Sequence, residues 1–169
     1  IFKMKSKNDY IGDDNFVKML LHYECTMPLE VVKMRFIGSI CSPNLELRPT
    51  DVISSFWTEG KAPRLETKNE AELFFKFFMG LWDDLFVQVA QNKVKLSSIK
   101  EKNADDLLVL CRLRFDEIES GFLEGFWGGK DNLKLPAYLA EIVDSLSDLA
   151  GVYSSLAKKL EKGDDYQTI

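Results

Sequence analysis

Histidine, cysteine and proline are scarce in this sequence, with one, three and five copies among 169 residues. Zinc and di-iron centres in helical bundles use several His, Cys and Glu side chains at matched spacing. The chain has no Cys-x-x-Cys and no Glu-x-x-His, and its one histidine, His22, is interpreted as a partly exposed helix residue. We therefore expect neither a metal nor a cofactor, and no nucleophile–histidine pair.

The three cysteines, Cys25, Cys41 and Cys111, are odd in number and far apart, which is not the pattern of a disulfide framework. They are interpreted as small buried apolar residues in a reducing cytoplasm. No apolar run approaches the roughly 18 residues of a membrane span, and no signal-peptide pattern opens the chain. We expect a soluble cytoplasmic protein without membrane insertion.

Basic residues are also few in the C-terminal part of the chain. The net charge is −5, and residues 104–169 carry 7 basic and 13 acidic side chains. An acidic protein gains nothing from the counterion release that drives binding to nucleic acids. Nucleic acid is therefore excluded as an expected partner.

Strand-like alternation is absent, whereas apolar residues recur at helical spacing along most of the chain. The pattern predicts a single all-α domain over residues 1–169, a bundle of six or seven helices with loose termini at 1–13 and 163–169. The predicted helices cover about 14–24, 27–41, 49–57, 67–90, 104–127 and 135–160, with Gly151 a possible break in the last one. Because the segment 71–90 is apolar around most of its circumference, it is predicted to be the central helix.

Gly121, Phe122 and Gly125 form the most informative stretch. Two glycines four residues apart lie on one helix face and form a flat groove that another helix can approach closely. The approaching helix can belong to the same chain or to a partner. Trp57 and Trp127 lie at predicted helix ends, where each can be either a core residue or an exposed anchor for a partner.

The segment from Leu135 to Leu160 carries a narrow apolar seam with alternating spacings of four and three, as in coiled coils. Such a seam packs along one neighbour, which is another helix of the chain or a second copy. Since the other helices are apolar enough to cover one another, the seam predicts a homodimer in which Leu149 and Leu156 are interface residues.

Paired carboxylates are the enzyme-like feature of the sequence. Asp116 and Glu117 are adjacent on a helix, so they point about 100° apart and cannot both face one substrate. Asp83 and Asp84 are less usual, because they interrupt the most apolar helix. One of them turned inward would provide a buried acid.

The order of several motifs resembles the N-terminal domain of the YecA/YgfB-type family of bacterial proteins. The similarity covers roughly residues 14–151 and consists of Ile37-Gly38, Ser42-Pro43, Pro49-Thr50-Asp51, Phe56-Trp57, Pro63-Arg64 and Gly121-Phe122-Leu123-Glu124-Gly125. The resemblance implies an all-α fold, a bacterial cytoplasmic setting and dimeric helical relatives. It brings no catalytic residues.

Three departures separate the chain from that family pattern. The family's Trp-Gly-Gly is replaced by Trp57-Thr58-Glu59-Gly60, and its Glu-Leu-Asp-Gly signature by Lys33-Met34-Arg35-Phe36. The cysteine-rich zinc knuckle of the SEC-C type, which ends many relatives, is not present in the sequence. The sequence as a whole predicts a non-enzymatic adaptor or regulator that works through protein contacts. The alternative is a hydrolase or small-molecule-binding protein with Asp83 or Asp84 in a cleft.

Overall fold

The computed structural model describes residues 9–163, and this range is helical without any strand. The prediction of an all-α bundle is confirmed. Helices α5 and α6 are joined by a π-helical segment without a break, because the residues at both junctions keep right-handed helical dihedral angles. The elements are α1 (Asp13–His22), α2 (Leu29–Cys41), α3 (Pro49–Ser54), α4 (Lys68–Ala90), α5 (Ala104–Asp116), the π segment (Glu117–Leu123), α6 (Glu124–Trp127) and α7 (Ala137–Glu161).

Side-chain caps fix the starts of two of the longer helices. The Thr67 hydroxyl accepts the Glu70 N–H at 3.1 Å, and the Asn103 amide oxygen accepts the Asp106 N–H at 2.9 Å. Each contact satisfies an N–H that has no partner within its helix. The Glu70 carboxylate accepts the N–H of Glu66 at 2.9 Å, one residue before the Thr67 N–H that a capping box would use.

The central helix is α2, and the prediction that α4 occupies this place is wrong. Residues 35–39 of α2 are all buried, since α1, α3 and α4 pack on one side and the π segment and α6 on the other. In α4 one face is buried, while Leu73, Phe75 and Phe86 are exposed. The long apolar run of α4 therefore makes a wide stripe, not a fully enclosed helix.

Aromatic rings fill the space between α1, α2 and α4. Phe78 is fully enclosed and contacts Phe16 edge-on at 5.2 Å and Phe56 in a stack at 5.7 Å between ring centroids. Phe36 of α2 meets Phe56 at 5.1 Å. These rings form the main core of the described chain and hold the first four helices together.

The first helix buries one narrow face. Phe16, Met19 and Leu20 are in the core, whereas the apolar side chains of Val17 and Leu21 are exposed. The prediction of a loose N-terminus is wrong for residues 9–13, since Tyr10 packs against Phe16 at 5.9 Å between ring centroids and α1 begins at Asp13. At the other end Gly163 is an exposed turn residue. The rest of that prediction, for 1–8 and 164–169, lies outside the described residues.

Helix α7 runs for 25 residues through Gly151 without a break. The buried side of α7 faces α5 and the π segment, and it carries Val143, Ala150, Ala157 and Leu160. Much of the predicted seam is therefore packed against helices of the same chain. No helix within residues 9–163 combines the length and the apolar character needed to span a bilayer.

Candidate functional site

The groove formed by the two glycines is filled by α2 of the same chain. A Cβ atom added to Gly125 would lie 2.0 Å from the carbonyl oxygen of Arg35, and one added to Gly121 would lie 2.8 Å from Cβ of Met34. Gly38 of α2 makes the reciprocal approach, since a Cβ atom added to it would lie 2.0 Å from the carbonyl oxygen of Phe122. The intramolecular alternative is the one observed, and Gly121 and Gly125 are not available to a partner helix.

Polar side chains of α2 bind carbonyl groups across this crossing. Arg35 Nε donates to the Ser120 carbonyl at 2.8 Å, and the Ser39 hydroxyl donates to the Gly125 carbonyl at 3.1 Å. Another arginine nitrogen, Nη1, donates to the Ser55 carbonyl at 2.6 Å. Burial lowers the pKa of Arg35 below its usual value, and the guanidinium is held by carbonyl oxygens of two elements. Arg35 therefore links α2 to the end of α3 and to the π segment.

The aromatic residues predicted for partner binding lie in or beside the core. Trp57 is buried and its indole N–H donates to the Tyr23 carbonyl at 2.8 Å, so it is a core residue and not an exposed anchor. Phe122 and Trp127 are half-buried and pack against the apolar cluster that the π segment and α6 share with α7. The exposed-anchor alternative is wrong for Trp57.

The acid enclosed most completely is Glu117, at the start of the π segment. Its residue is 2% exposed, and the carboxylate pairs with Arg114 at 2.7 Å. Burial raises the pKa of Glu117 and outweighs the opposing attraction of Arg114; the negative charge of Glu30 adds to the rise. Asp83 and Asp84 are only half-buried, and Asp84 accepts a hydrogen bond from Gln88 at 2.7 Å.

A cavity of about 180 Å³ lies against Glu117, between α2, the end of α4 and the segment 94–97. Ser97 contributes to its wall in two ways. Its carbonyl accepts a hydrogen bond from Arg114, which ties the segment to α5, while its enclosed hydroxyl has no hydrogen-bond partner among the described residues. A buried polar atom without a partner is unusual in a folded protein. Asp83 and Asp84 do not line this cavity.

Glu117 was not predicted to be a site residue, although its spacing from the two glycines indicates that it faces α2. Glu117 lies four residues before Gly121 and eight before Gly125, on the helix face that packs against α2. Arg114, three residues earlier, is in position to be its partner. As expected for adjacent residues, Asp116 points elsewhere and is exposed.

An exposed apolar strip runs along the outer side of α7. Tyr138, Ile142, Leu149 and Val152 are 67%, 53%, 43% and 53% exposed, and their spacing places them on one face of the helix. The face lies beside the buried line of Val143, Ala150 and Ala157. Leu156 is half-buried in the cluster around Cys111, so only Leu149 of the two predicted dimer residues is at the surface.

The cysteines are unpaired, with Cys25 and Cys111 buried and Cys41 exposed, so the expectation that all three are buried is wrong for Cys41. Between residues 9 and 163, no group of three or more His, Cys, Asp or Glu side chains is arranged to hold a metal ion.

No protein-family model, curated protein or solved structure matches the chain. The resemblance to the YecA/YgfB-type family stays a prediction.

Proposed function

We propose that this chain is a non-enzymatic helical adaptor or regulator, and that it assembles with a second copy of itself through the outer face of α7. The observation that supports the proposal is the exposed strip of Tyr138, Ile142, Leu149 and Val152. The bacterial cytoplasmic setting implied by the family resemblance belongs to the same proposal.

The strip has the form of a helix-pairing surface. Isolated exposed apolar residues are normal, but a row along one face of a 25-residue helix is a surface that association would remove from water. The adjacent flank of α7 is already packed within the chain, which holds the helix in place. A second helix laid along the strip would bury apolar area at both copies of the surface.

The charges on α7 favour a second copy in the antiparallel orientation. Glu141 lies in the N-terminal half of the helix, and Lys158 and Lys159 lie in the C-terminal half. None of the three forms an ion pair with another residue of the described range. In an antiparallel pair centred between Leu149 and Val152, Glu141 of one copy lies opposite Lys159 of the other. A parallel pair would place like charges side by side.

Light scattering at micromolar concentration tests the assembly. We expect a mass near twice that of the chain, and a mass near that of one chain for the variant with Ile142→Glu and Val152→Glu. Both side chains are more than half exposed, so the variant keeps its helical circular dichroism. Leu73→Glu, at an exposed position of α4, is the matched control and stays dimeric. A parent protein that remains monomeric contradicts the proposed self-association.

Charge exchange tests the orientation. Glu141→Lys alone and Lys159→Glu alone each place like charges together in the antiparallel dimer, so each weakens it. The double variant restores opposite charges and the dimer with them. If the double variant is no stronger than the single ones, the antiparallel arrangement is wrong.

A further inference from the structure

The cavity beside Glu117 has a chemically mixed wall that the proposed self-association does not use. Its volume of about 180 Å³ is below the roughly 300–1,000 Å³ of drug-sized sites and above the roughly 150 Å³ that admits a benzene-sized molecule. A ligand for it would have about ten non-hydrogen atoms or fewer. The size alone excludes nucleotides and peptides as fully enclosed ligands.

Of the five charged wall residues, three form ion pairs within the described range and two do not. Lys33 binds Asp13 at 2.8 Å, and Glu117 binds Arg114 at 2.7 Å. Glu30 and Lys95 also line the cavity, and neither forms an ion pair with any residue between 9 and 163. The wall thus offers one acidic and one basic group to a ligand that carries both charges.

The remainder of the wall is apolar, apart from Gln88 and Ser97. Its aliphatic side chains are Leu29, Met34, Ile37, Leu85, Val94 and Leu96. The Ser97 hydroxyl, enclosed and without a partner, can donate to a carboxylate or accept from an ammonium group. A short hydrocarbon chain fits this lining, and a strongly polar side chain does not.

We propose that this cavity binds a small zwitterion with an aliphatic side chain, of the free amino acid class represented by leucine. The ammonium group pairs with Glu30 beside the Glu117 carboxylate, and the ligand carboxylate pairs with Lys95. Ser97 completes the hydrogen bonding of the polar end. The aliphatic side chain lies against Leu29, Ile37 and Leu85, which removes it from water.

Thermal melting of the whole chain with leucine and three analogues tests the ligand class. Isoamylamine lacks the carboxylate, 4-methylpentanoate lacks the ammonium group and glycine lacks the side chain. At about a hundredfold excess over its dissociation constant, leucine raises the melting temperature by about 5–10 °C. Each analogue binds about tenfold or more weakly, because it loses a charge-assisted contact or the apolar burial. An equal response to an analogue, or no response to leucine, overturns the proposal.

Variants then locate the site. Glu30→Gln weakens leucine binding about tenfold but leaves the response to 4-methylpentanoate unchanged, and Lys95→Gln does the converse with isoamylamine. The control variant, Glu59→Gln with Lys61→Gln, changes two exposed loop charges that do not line the cavity and binds leucine as the parent does. If the cavity holds only water, leucine changes the melting temperature of neither the parent nor any variant, and the proposal is wrong. Leucine binding that survives both wall variants places the ligand elsewhere and contradicts the assignment.

Discussion

Gly125 and Gly151 are both glycines inside helices, yet the space beside them is opposite. A Cβ atom on Gly125 would lie 2.0 Å from a backbone oxygen of α2, whereas one on Gly151 would meet nothing within 4 Å. The first glycine is required by a close helix crossing, and the second only loosens the helix that contains it. Sequence alone shows two helical glycines and does not distinguish these roles.

Replacement by alanine separates the two. Gly125→Ala forces α2 and α6 apart and lowers the free energy of unfolding by about 1–3 kcal/mol, as overpacking does elsewhere. Gly151→Ala raises it by about 0.5–1 kcal/mol, because alanine is the better helix former at an unobstructed position. Urea denaturation at a fixed protein concentration measures both. Equal effects of the two variants would mean that the crossing is looser than the structure shows.

Glu117 makes stability depend on pH in the direction opposite to an ordinary surface acid. Its pKa is raised by burial, so the folded state holds the proton at pH values where the unfolded chain has released it. The unfolded state then binds fewer protons, and this residue lowers stability as pH rises above the usual range of a glutamate, near 4.3–4.5. Asp13 acts in the opposite sense: hydrogen bonds from Lys33 and Tyr10 overcome its burial and hold its pKa low.

Glu117→Gln removes the titration of this one group. Relative to the parent, the variant becomes progressively more stable as pH increases from 4 through the raised pKa, and the difference is constant above it. Urea denaturation of both proteins across pH 4–8 measures the change. Glutamine alters the contact with Arg114 at every pH. The prediction therefore concerns how the difference in free energy of unfolding between variant and parent changes with pH, and not the size of that difference at one pH. A difference independent of pH would contradict the raised pKa.

At the scale of the helices, the spacing of apolar residues predicted where the helices lie in the sequence, but not which helices pack against each other. The buried line of α7 includes Ala150 and Ala157, which a search for large apolar residues passes over. The predicted seam therefore fell on the flank of that line and included Ile142 and Leu149, which are exposed. The helix carries apolar residues on both the packed and the outer flank, and only the positions of α5 and the π segment decide which flank is covered.

The central place of α2 depends on features that no single helix displays. Arg35 and Ser39 are polar and buried, and they bind carbonyl groups of residues about 85 positions further along the chain. Because both residues are polar, a prediction based on the spacing of apolar residues assigns them to the surface. The π segment is likewise invisible in the spacing of Ile118 and Phe122, although it sets where Glu117 points. The cavity could not be predicted for the same reason, because its wall comes from five separate parts of the chain.

Across the described chain, the apolar core is unevenly divided. The largest cluster joins α1 to α4 and contains six buried aromatic side chains, including Phe36 and Phe78. The clusters along α7 are smaller and include Ala150 and Ala157. The two parts are joined where α2 crosses the π segment and α6, whereas the ion pair of Arg112 with Glu161 links α5 to α7 within the second part. Helices with less buried apolar area open at lower free energy.

Native-state hydrogen exchange tests this division. We expect the backbone amides of α7 to exchange through openings of clearly lower free energy than those of α2, which has eight buried residues in 13 positions. The monomeric variant with Ile142→Glu and Val152→Glu is the protein to use, since protection from a second copy is then removed. Gly125→Ala increases exchange in α2 and α6 together, because it acts on the crossing that both share. Uniform protection of α2 and α7 would instead mean that the crossing couples both clusters into one cooperative unit.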